Sequence, residues 1–578
     1  MHGATPRRSS LDAPLIALIG ALVLLAWINR FVQDDAFISF QYARNLVEGH
    51  GLVFNPGERV EGYTNFLWTL MIAAGLAAGF EPVAWSYGLG LALFAGSLWL
   101  TGLLARDLSG SGEAGLIAVL LVGTNYSFSA YATGGLETQL QAFLVVAAVW
   151  LSLAGIPRMA RASVEADGTS PSAAGPRAAA GGGMGASLGL LAAASAAYGA
   201  ALMTRLDSVV CLLVPGLVTL AACLRGGDAT GRSGVGARVA RVGALLLPGT
   251  VLVAPWLFWK VSYYGVLLPN TFYVKVTSAA SIARGGHYVY RFLASYWLLP
   301  LVLLGLIARP RRLAEMLRGG SPPWGGAVAA AVAMWCAYVA AVGGDFMEFR
   351  FIVPVLPLGM ALVGWCLVAV VEERRVRLAL VALLAIGSAL HAFTFFGVRD
   401  IETIDSLAIH MEPDGGDWDE VGRALGEHFP AGSGVLIAVG PAGAIPYYSR
   451  LPALDMRGLI DPWVARHGII VSTVPGHQRM APMSYLIERG VNLVVGHPQV
   501  VPRAGGLPGA FPLAGLAQLG LADATNATVP EGARVLAIPM SGERWLLVLY
   551  LVAHPDIERA IAEQRWAAIP LSRAVRPF

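Results

Sequence analysis

What this chain can fold into is constrained above all by a succession of long apolar runs between residues 13 and 397. They lie at 13–31, 84–105, 113–128, 136–155, 187–203, 207–224, 240–258, 295–309, 324–342, 350–371 and 376–397, with an ambiguous further run at 65–80. A helix needs about 20 apolar residues to cross the hydrocarbon core of a bilayer. No water is available there to bond N–H and C=O groups, so each run must satisfy its own backbone as a helix. The pattern predicts a mainly α-helical polytopic membrane protein with about 11–12 transmembrane helices. Charged residues are 13% of the chain, against about 25% in soluble domains, which agrees with lipid contact.

Short cytoplasmic loops carry the Lys/Arg excess, and here the sorting is sharp. Arg158, Arg161 and Arg177, then Arg225, Arg232, Arg238 and Arg241, then Arg309, Arg311, Arg312 and Arg318, then Arg374, Arg375 and Arg377 fall at every second connection. The alternate connections, at 126–137, 204–207, 259–294 and 343–349, then face outward, as does everything after the last run. With Arg7 and Arg8 inside, the number of crossings must be odd, so 65–80 is expected to be juxtamembrane or re-entrant. The alternative is that 65–80 spans and 113–128 does not. The first run is expected to remain as an uncleaved span, because Asn29-Arg30-Phe31 and Gln33-Asp34-Asp35 follow it where a cleavage site needs small residues.

The organisation that follows is a transmembrane catalytic domain over 1–397, with a first extracytoplasmic loop at 33–83, and an extracytoplasmic soluble α/β domain over 398–578. Residues 162–186, rich in Ala, Gly, Ser and Pro, form a flexible cytoplasmic linker. In the C-terminal region a helical stretch at 418–430, with Asp417 as its N-cap, precedes strand-like segments at 435–440 and 492–496, and 534–540 with 545–552 reads as a hairpin. The net charge of +3 and the lack of basic clusters interleaved with aromatics exclude nucleic acid as a partner. Cys211, Cys223, Cys336 and Cys366 lie in apolar runs, so neither a disulfide framework nor a cysteine metal site is available.

Chemistry concentrates just after the first span. Asp34 and Asp35 stand side by side where charge near the hydrocarbon boundary is costly unless it is paired or used. A carboxylate there can take the proton from an attacking hydroxyl; it can equally cap the helix that begins near Ala36. The surrounding segment, DDAFISFQYARNLVEGHGLVFNPGERVEGYTNFLW, resembles the first extracytoplasmic loop of C-type (GT-C) membrane glycosyltransferases, closest to the group of terminal β-(1→2)-arabinofuranosyltransferases. Gly134-Gly135-Leu136-Glu137-Thr138, Gly343-Gly344-Asp345-Phe346-Met347 with Arg350-Phe351, and IPYYSRLPALDMRGLIDPWVARHG agree with that resemblance.

The resemblance implies an inverting glycosyltransferase of the bacterial inner membrane. It would move a sugar, arabinofuranose in the nearest group, from a polyprenyl-phosphate donor to a glycan, lipid or protein acceptor, with Asp34 or Asp35 as catalytic base. Glu137, Arg205, Lys260, Lys275 and Arg350 are the candidates to bind the donor phosphate and sugar, since Arg clamps phosphate oxygens and Lys supplies a point charge. Tyr63, Asn65, Asp345 and His287 are the candidates to line the site or hold the acceptor. The charged candidates have structural alternatives: a dipole-facing acid for Glu137, an ion pair with Asp207 for Arg205, a sealed turn for Asp345, Glu348 and Arg350, and snorkelling of Lys or Arg to the interface. For Arg284 and Arg291 the structural role is preferred. Asp455, Arg457, Asp461, His467 and His477 mark a polar surface near the membrane. No cofactor is required by the sequence, and a divalent Mg or Mn ion beside the phosphate is compatible with it. A transporter of polyprenyl-linked sugars or a membrane-anchored carbohydrate-binding protein are the rival readings.

Overall fold

The computed structural model describes residues 12–156, 184–225, 235–275, 279–300, 309–319 and 322–572, apart from 399, 414, 431, 526 and 564. Among the described residues eight helices are long and apolar enough to cross a membrane: 82–109, 138–155, 184–204, 206–225, 235–264, 324–341, 350–370 and 374–394. The chain is a multi-pass, mainly helical membrane protein with a C-terminal α/β region. Most of the predicted linker, and residues 301–308 of the run at 295–309, lie outside the described residues.

Three apolar helices are shorter: α1 (Asp12–Ile28), α3 (Phe66–Ala77) and α5 (Gly112–Gly123). At 12 residues each, α3 and α5 reach about 18 Å, well short of a hydrocarbon core of about 30 Å. The sequence treated 113–128 as a span and 65–80 as the exception, but the two are alike. The helix in 113–128 stops at Thr124, and Asn125 then accepts from the Phe128 N–H to start the short α6 (Tyr126–Ala130). The predicted outer loop 259–294 is also mostly helix: α10 (Val235–Tyr264) runs on through Lys260, and α12 (Ala279–Ser295) fills its second half.

Between these helices lie α2 (Asp34–Val47), the site's first element, then α4 (Pro82–Ser109), α7 (Thr138–Gly155), α8 (Met184–Thr204), α9 (Val209–Arg225) and α11 (Asn270–Val274). Lipid tails are as apolar as leucine, so helices associate through close packing of small residues. Gly199 of α8 and Gly249 of α10 meet backbone to backbone, and a Cβ on Gly249 would come within 2.6 Å of the Ser195 carbonyl oxygen.

Among the described residues nine strands occur, in the C-terminal region: β1 (Ile437–Val439), β2 (Ala453–Asp455), β3 (Ile469–Ile470), β4 (Arg479–Met480), β5 (Leu493–Pro502), β6 (Phe511–Pro512), β7 (Arg534–Met540), β8 (Arg544–Tyr550) and β9 (Ala567–Ser572). The main sheet runs β2-β1-β5-β8-β7-β9-β6. Its β2-β1-β5 end is parallel, whereas β5-β8, β8-β7 and β7-β9 are antiparallel. The expected hairpin is the β7–β8 pair. Asp417, expected to cap the following helix, instead adopts a left-handed backbone with no capping hydrogen bond. Its carboxylate pairs with Arg544 at 2.6 Å instead.

The first loop and the C-terminal region clasp one another. Arg44 donates to the Tyr447 carbonyl at 2.6 Å and lies over the Tyr447 ring. Asn55 and Ala453 exchange two hydrogen bonds, Arg489 pairs with Glu58, and Asn270 donates to the Gly458 carbonyl. Residues 33–65 and the C-terminal region therefore share one face of the helical bundle.

Candidate active site

Between these two halves is a cavity of about 260 Å³. The transmembrane half contributes Asp34, Asp35, Tyr63, Asn65, Glu137, Arg205, Lys275, Asp345 and Arg350, which gathers nine of the eleven predicted site residues. The two others lie elsewhere. Lys260, expected at the donor phosphate, is buried in α10 and paired with Glu61 at 3.0 Å. His287 sits on the exposed side of α12, where its ring neighbour is Tyr290.

The twin aspartates occupy the first turn of α2, where carboxylates favour the helix dipole. Successive helical residues point in different directions, and the two carboxyl groups have different surroundings. Asp34 is 3% exposed and turned into the C-terminal region, where both oxygens are taken: Oδ1 accepts from the Ala444 N–H at 2.7 Å and Oδ2 from the Gly443 N–H at 3.1 Å. Gly443 is required for this approach, since a Cβ there would lie 1.9 Å from the Asp34 carbonyl oxygen. The Asp35 carboxylate, among the described residues, accepts no hydrogen bond and has no ion-pair partner. It faces the cavity.

Burial raises both groups, which changes what each can do. Asp34 is pushed up to about 7, with the Ala444 N–H opposing and Asp35 adding to the rise. Asp35 is pushed up to about 6 by burial, with Arg350 opposing and Asp345 and Glu137 adding. A base is most effective when its pKa lies near the working pH, and Asp35 meets that condition with its oxygens free.

Opposite stand three cations around one ring. Arg205, Lys275 and Arg350 lie 5.2, 5.4 and 5.3 Å from the Phe351 centroid. Arg205 pairs with Glu137 at 2.9 Å and with Asp207 at 2.7 Å. The Arg205–Asp207 pair considered from the sequence is thus present, with Glu137 added. Asn65 donates to the other Glu137 oxygen at 2.9 Å. Burial alone would raise Glu137, but Arg205 and Arg350 more than offset it and hold the carboxyl low. Arg350 pairs with Asp345 at 2.6 Å and follows Phe349, whose left-handed backbone (φ 43°) turns the chain into the helix. Glu348 leaves this turn to pair with His391 at 2.9 Å. Lys275 has no carboxylate partner among the described residues, and burial, then Arg205, hold its ammonium below the ordinary range.

The C-terminal half of the cavity was largely missed. Glu402, His410, Trp418 and His497 line it together with Arg457 and His477. The sequence suggests for Arg457 and His477 only a polar surface near the membrane, and no spacing in it joins the others. Asp455 and Asp461 turn inward as local caps: Asp455 accepts from the Arg457 and Ile460 N–H groups, and Asp461 from those of Trp463 and Val464. Arg284 donates to the carbonyls of Gly343, Asp345 and Asp400, the structural role expected of it. Among the described residues, no three His, Cys, Asp or Glu side chains converge as a metal-ligand set.

With its helical membrane body and clasped α/β region, the chain is similar in fold to C-type membrane glycosyltransferases of known structure. ArnT from Cupriavidus metallidurans, in its structure bound to undecaprenyl phosphate, superposes with a TM-score of 0.52 at 14% identity, covering 93% of this chain and 97% of that one. In sequence, the chain is similar to the terminal β-(1→2)-arabinofuranosyltransferases of Mycobacterium tuberculosis and Corynebacterium glutamicum. The first is 30% identical over 371 residues, covering 59% of this chain and 53% of the relative, and the second 28% identical over 386 residues, covering 59% and 50%. The chain thus spans about half the length of the curated relatives it matches. A family model described as a domain of unknown function, DUF8728, matches residues 405–543.

Proposed function

We propose that this chain is a membrane glycosyltransferase that moves a sugar from a polyprenyl-phosphate donor to an acceptor hydroxyl, with Asp35 as its base. The observation that carries this reading is the unpartnered Asp35 carboxylate sharing one cavity with three cations around Phe351. The phosphate would sit at Lys275, which has no ion-pair partner among the described residues, flanked by Arg205 and Arg350, whose guanidinium groups are held by Glu137, Asp207 and Asp345. Fixed cations cost no reorganisation when negative charge builds on the leaving group.

The step balances simply. The acceptor oxygen forms a bond to the anomeric carbon, the bond from that carbon to the phosphate oxygen breaks with its electron pair, and the acceptor proton passes to Asp35. Attack opposite the leaving group inverts the anomeric centre. A phosphate leaves without needing a proton, so one carboxylate suffices. Likeness to the arabinofuranosyltransferases favours an arabinofuranosyl donor, and the alternating arginines favour a site on the extracytoplasmic face of a bacterial inner membrane.

The test is the purified chain in lipid with a panel of polyprenyl-phosphate sugars, with and without a chelator. Release of polyprenyl phosphate coupled to glycoside formation is expected, at least about 100-fold slower for Asp35→Asn. Movement of labelled lipid across vesicles with no donor consumed would replace the reading with a transporter.

A further inference from the structure

The C-terminal end of the cavity has a chemistry of its own. The carboxyl ends of β1 and β2 and the bulged stretch of β5 bring Gly440, Pro441, Ala442, Met456, Arg457 and His497 to the cavity wall. In open α/β sheets, ligands settle at the carboxyl ends of parallel strands. Rings complete the wall: His410 stacks on Trp418 at 4.2 Å and 10°, His497 meets Trp418 edge-on at 5.7 Å, and His477 meets Phe346 at 4.6 Å. Burial holds His410 at about 4 and His477 at about 3, so both are neutral imidazoles able to donate and accept.

Arg457 stands among these rings with Asp455 as the one carboxylate near enough to act on it among the described residues. Arg205 and Arg350 each have a carboxylate partner, whereas the Arg457 side chain, among the described residues, has neither an ion pair nor a hydrogen bond. The neighbouring Asp455 carboxylate is already bound by two backbone N–H groups. Arg457 lies at the strand ends, whereas Lys275 is grouped with Arg205 and Arg350 around the Phe351 ring. The cavity therefore has two separate cationic poles with Asp35, Asp345 and Glu402 among its lining. A donor phosphate answers only one of them.

Resting on the transferase reading, we propose that the C-terminal end of the cavity is an acceptor subsite for a saccharide bearing a carboxylate or phosphate-ester charge. Arg457 binds that charge, and the His410–Trp418–His497 wall bears on the sugar.

Calorimetric titration of the full chain in lipid, without donor, tests this with trigalacturonate, its neutral methyl ester, mannose 6-phosphate, mannose and inorganic phosphate. A charged saccharide is expected to bind at least about tenfold more tightly than its neutral counterpart, the scale of a charge-assisted hydrogen bond. Arg457→Gln should erase that ratio while keeping the affinity for the neutral sugar, which shows that the loss is not a folding defect; Arg457→Lys should keep part of it, and Lys275→Gln should leave it intact. The acid or the phosphate ester as preferred ligand identifies the source of the charge. Equal binding of charged and neutral sugars overturns the proposal, as does the full Arg457 dependence with inorganic phosphate alone or an Arg457→Gln variant that loses polyprenyl phosphate instead. Asp35→Asn should bind the charged sugar normally. If that variant also transfers sugar at the full rate, the base assignment fails; if the unaltered chain transfers none, the transferase reading fails, and the Arg457 result stands in either case.

Discussion

Exchanging each twin aspartate for asparagine separates two roles that sequence adjacency conceals. Asp35→Asn removes a cavity-facing carboxylate that accepts no hydrogen bond among the described residues, so nothing in the fold is left unpaired. Loss of a general base costs about 10²–10⁴ in rate, and the thermal unfolding midpoint should hardly move. Asp34→Asn acts differently. An amide offers one acceptor where the carboxylate offers two, so either the Gly443 or the Ala444 N–H, bonded at 3.1 and 2.7 Å, faces an N–H₂ group. A buried donor left unsatisfied costs about 1–3 kcal/mol, reduced by the relief of no longer burying a charge. The variant should therefore unfold earlier and become more sensitive to protease between the last span and β1, with a modest fall in rate. Donor-consumption assays and thermal scans in the same detergent read both effects. Full turnover in Asp35→Asn, with an inactive but thermally unchanged Asp34→Asn, would refute the division.

The acceptor-dependent rate should rise with pH through about 6, because the base works only when deprotonated and burial has raised Asp35 to that value; Asp35→Asn should flatten the profile. Asp34 has a folded pKa of about 7 against 3.8, so the folded chain binds this proton more tightly than the unfolded one. That contribution is full below about 3.8 and is lost as pH rises through 7, and Asp34→Asn should weaken the decline of stability over this window. Arg205→Gln strands the buried Glu137 and Asp207 and should cost about 3–5 kcal/mol of stability, whereas Lys275→Gln should raise the KM for donor without lowering the unfolding midpoint. Glu61→Gln, which leaves Lys260 buried without its partner, should destabilise more than the double change Glu61→Gln with Lys260→Met, as paired thermal scans can show.

The helical body could be read in the sequence because lipid dictates the composition of every span, and a run of apolar residues needs no distant partner to be recognised. The β7–β8 hairpin was legible for a similar local reason: two short apolar runs flank Ser541-Gly542-Glu543, and neither is long enough for a bilayer. The clustering of Glu137, Arg205 and Arg350 was foreseen only as a list of charges at span ends. Their mutual pairing depends on which helix ends meet. Lys260 was misassigned because an outward-side lysine looks alike whether it awaits a phosphate or already holds Glu61. His410, Trp418 and His497 gave no signal, since a helix end and a β-bulge bring them together across the fold.

Asp34 and Asp35 show the limit most clearly, because nothing local distinguishes them. The residues that decide Asp34, Gly443 and Ala444, are 409 and 410 positions away. A helix start turns adjacent side chains in different directions, so a soluble region docked over α2 captures one carboxylate and leaves its neighbour facing the cavity. On the proposed assignment of Asp35 as base, docking and catalysis are coupled: the Asp34 clasp holds the first turn of α2, from which Asp35 projects. Gly443→Ala tests this coupling, since a Cβ 1.9 Å from the Asp34 carbonyl oxygen must push the two halves apart. The expected result is a fall in rate approaching that of Asp35→Asn, although every catalytic side chain is retained. Unimpaired turnover in Gly443→Ala would show that Asp35 is positioned without the C-terminal region.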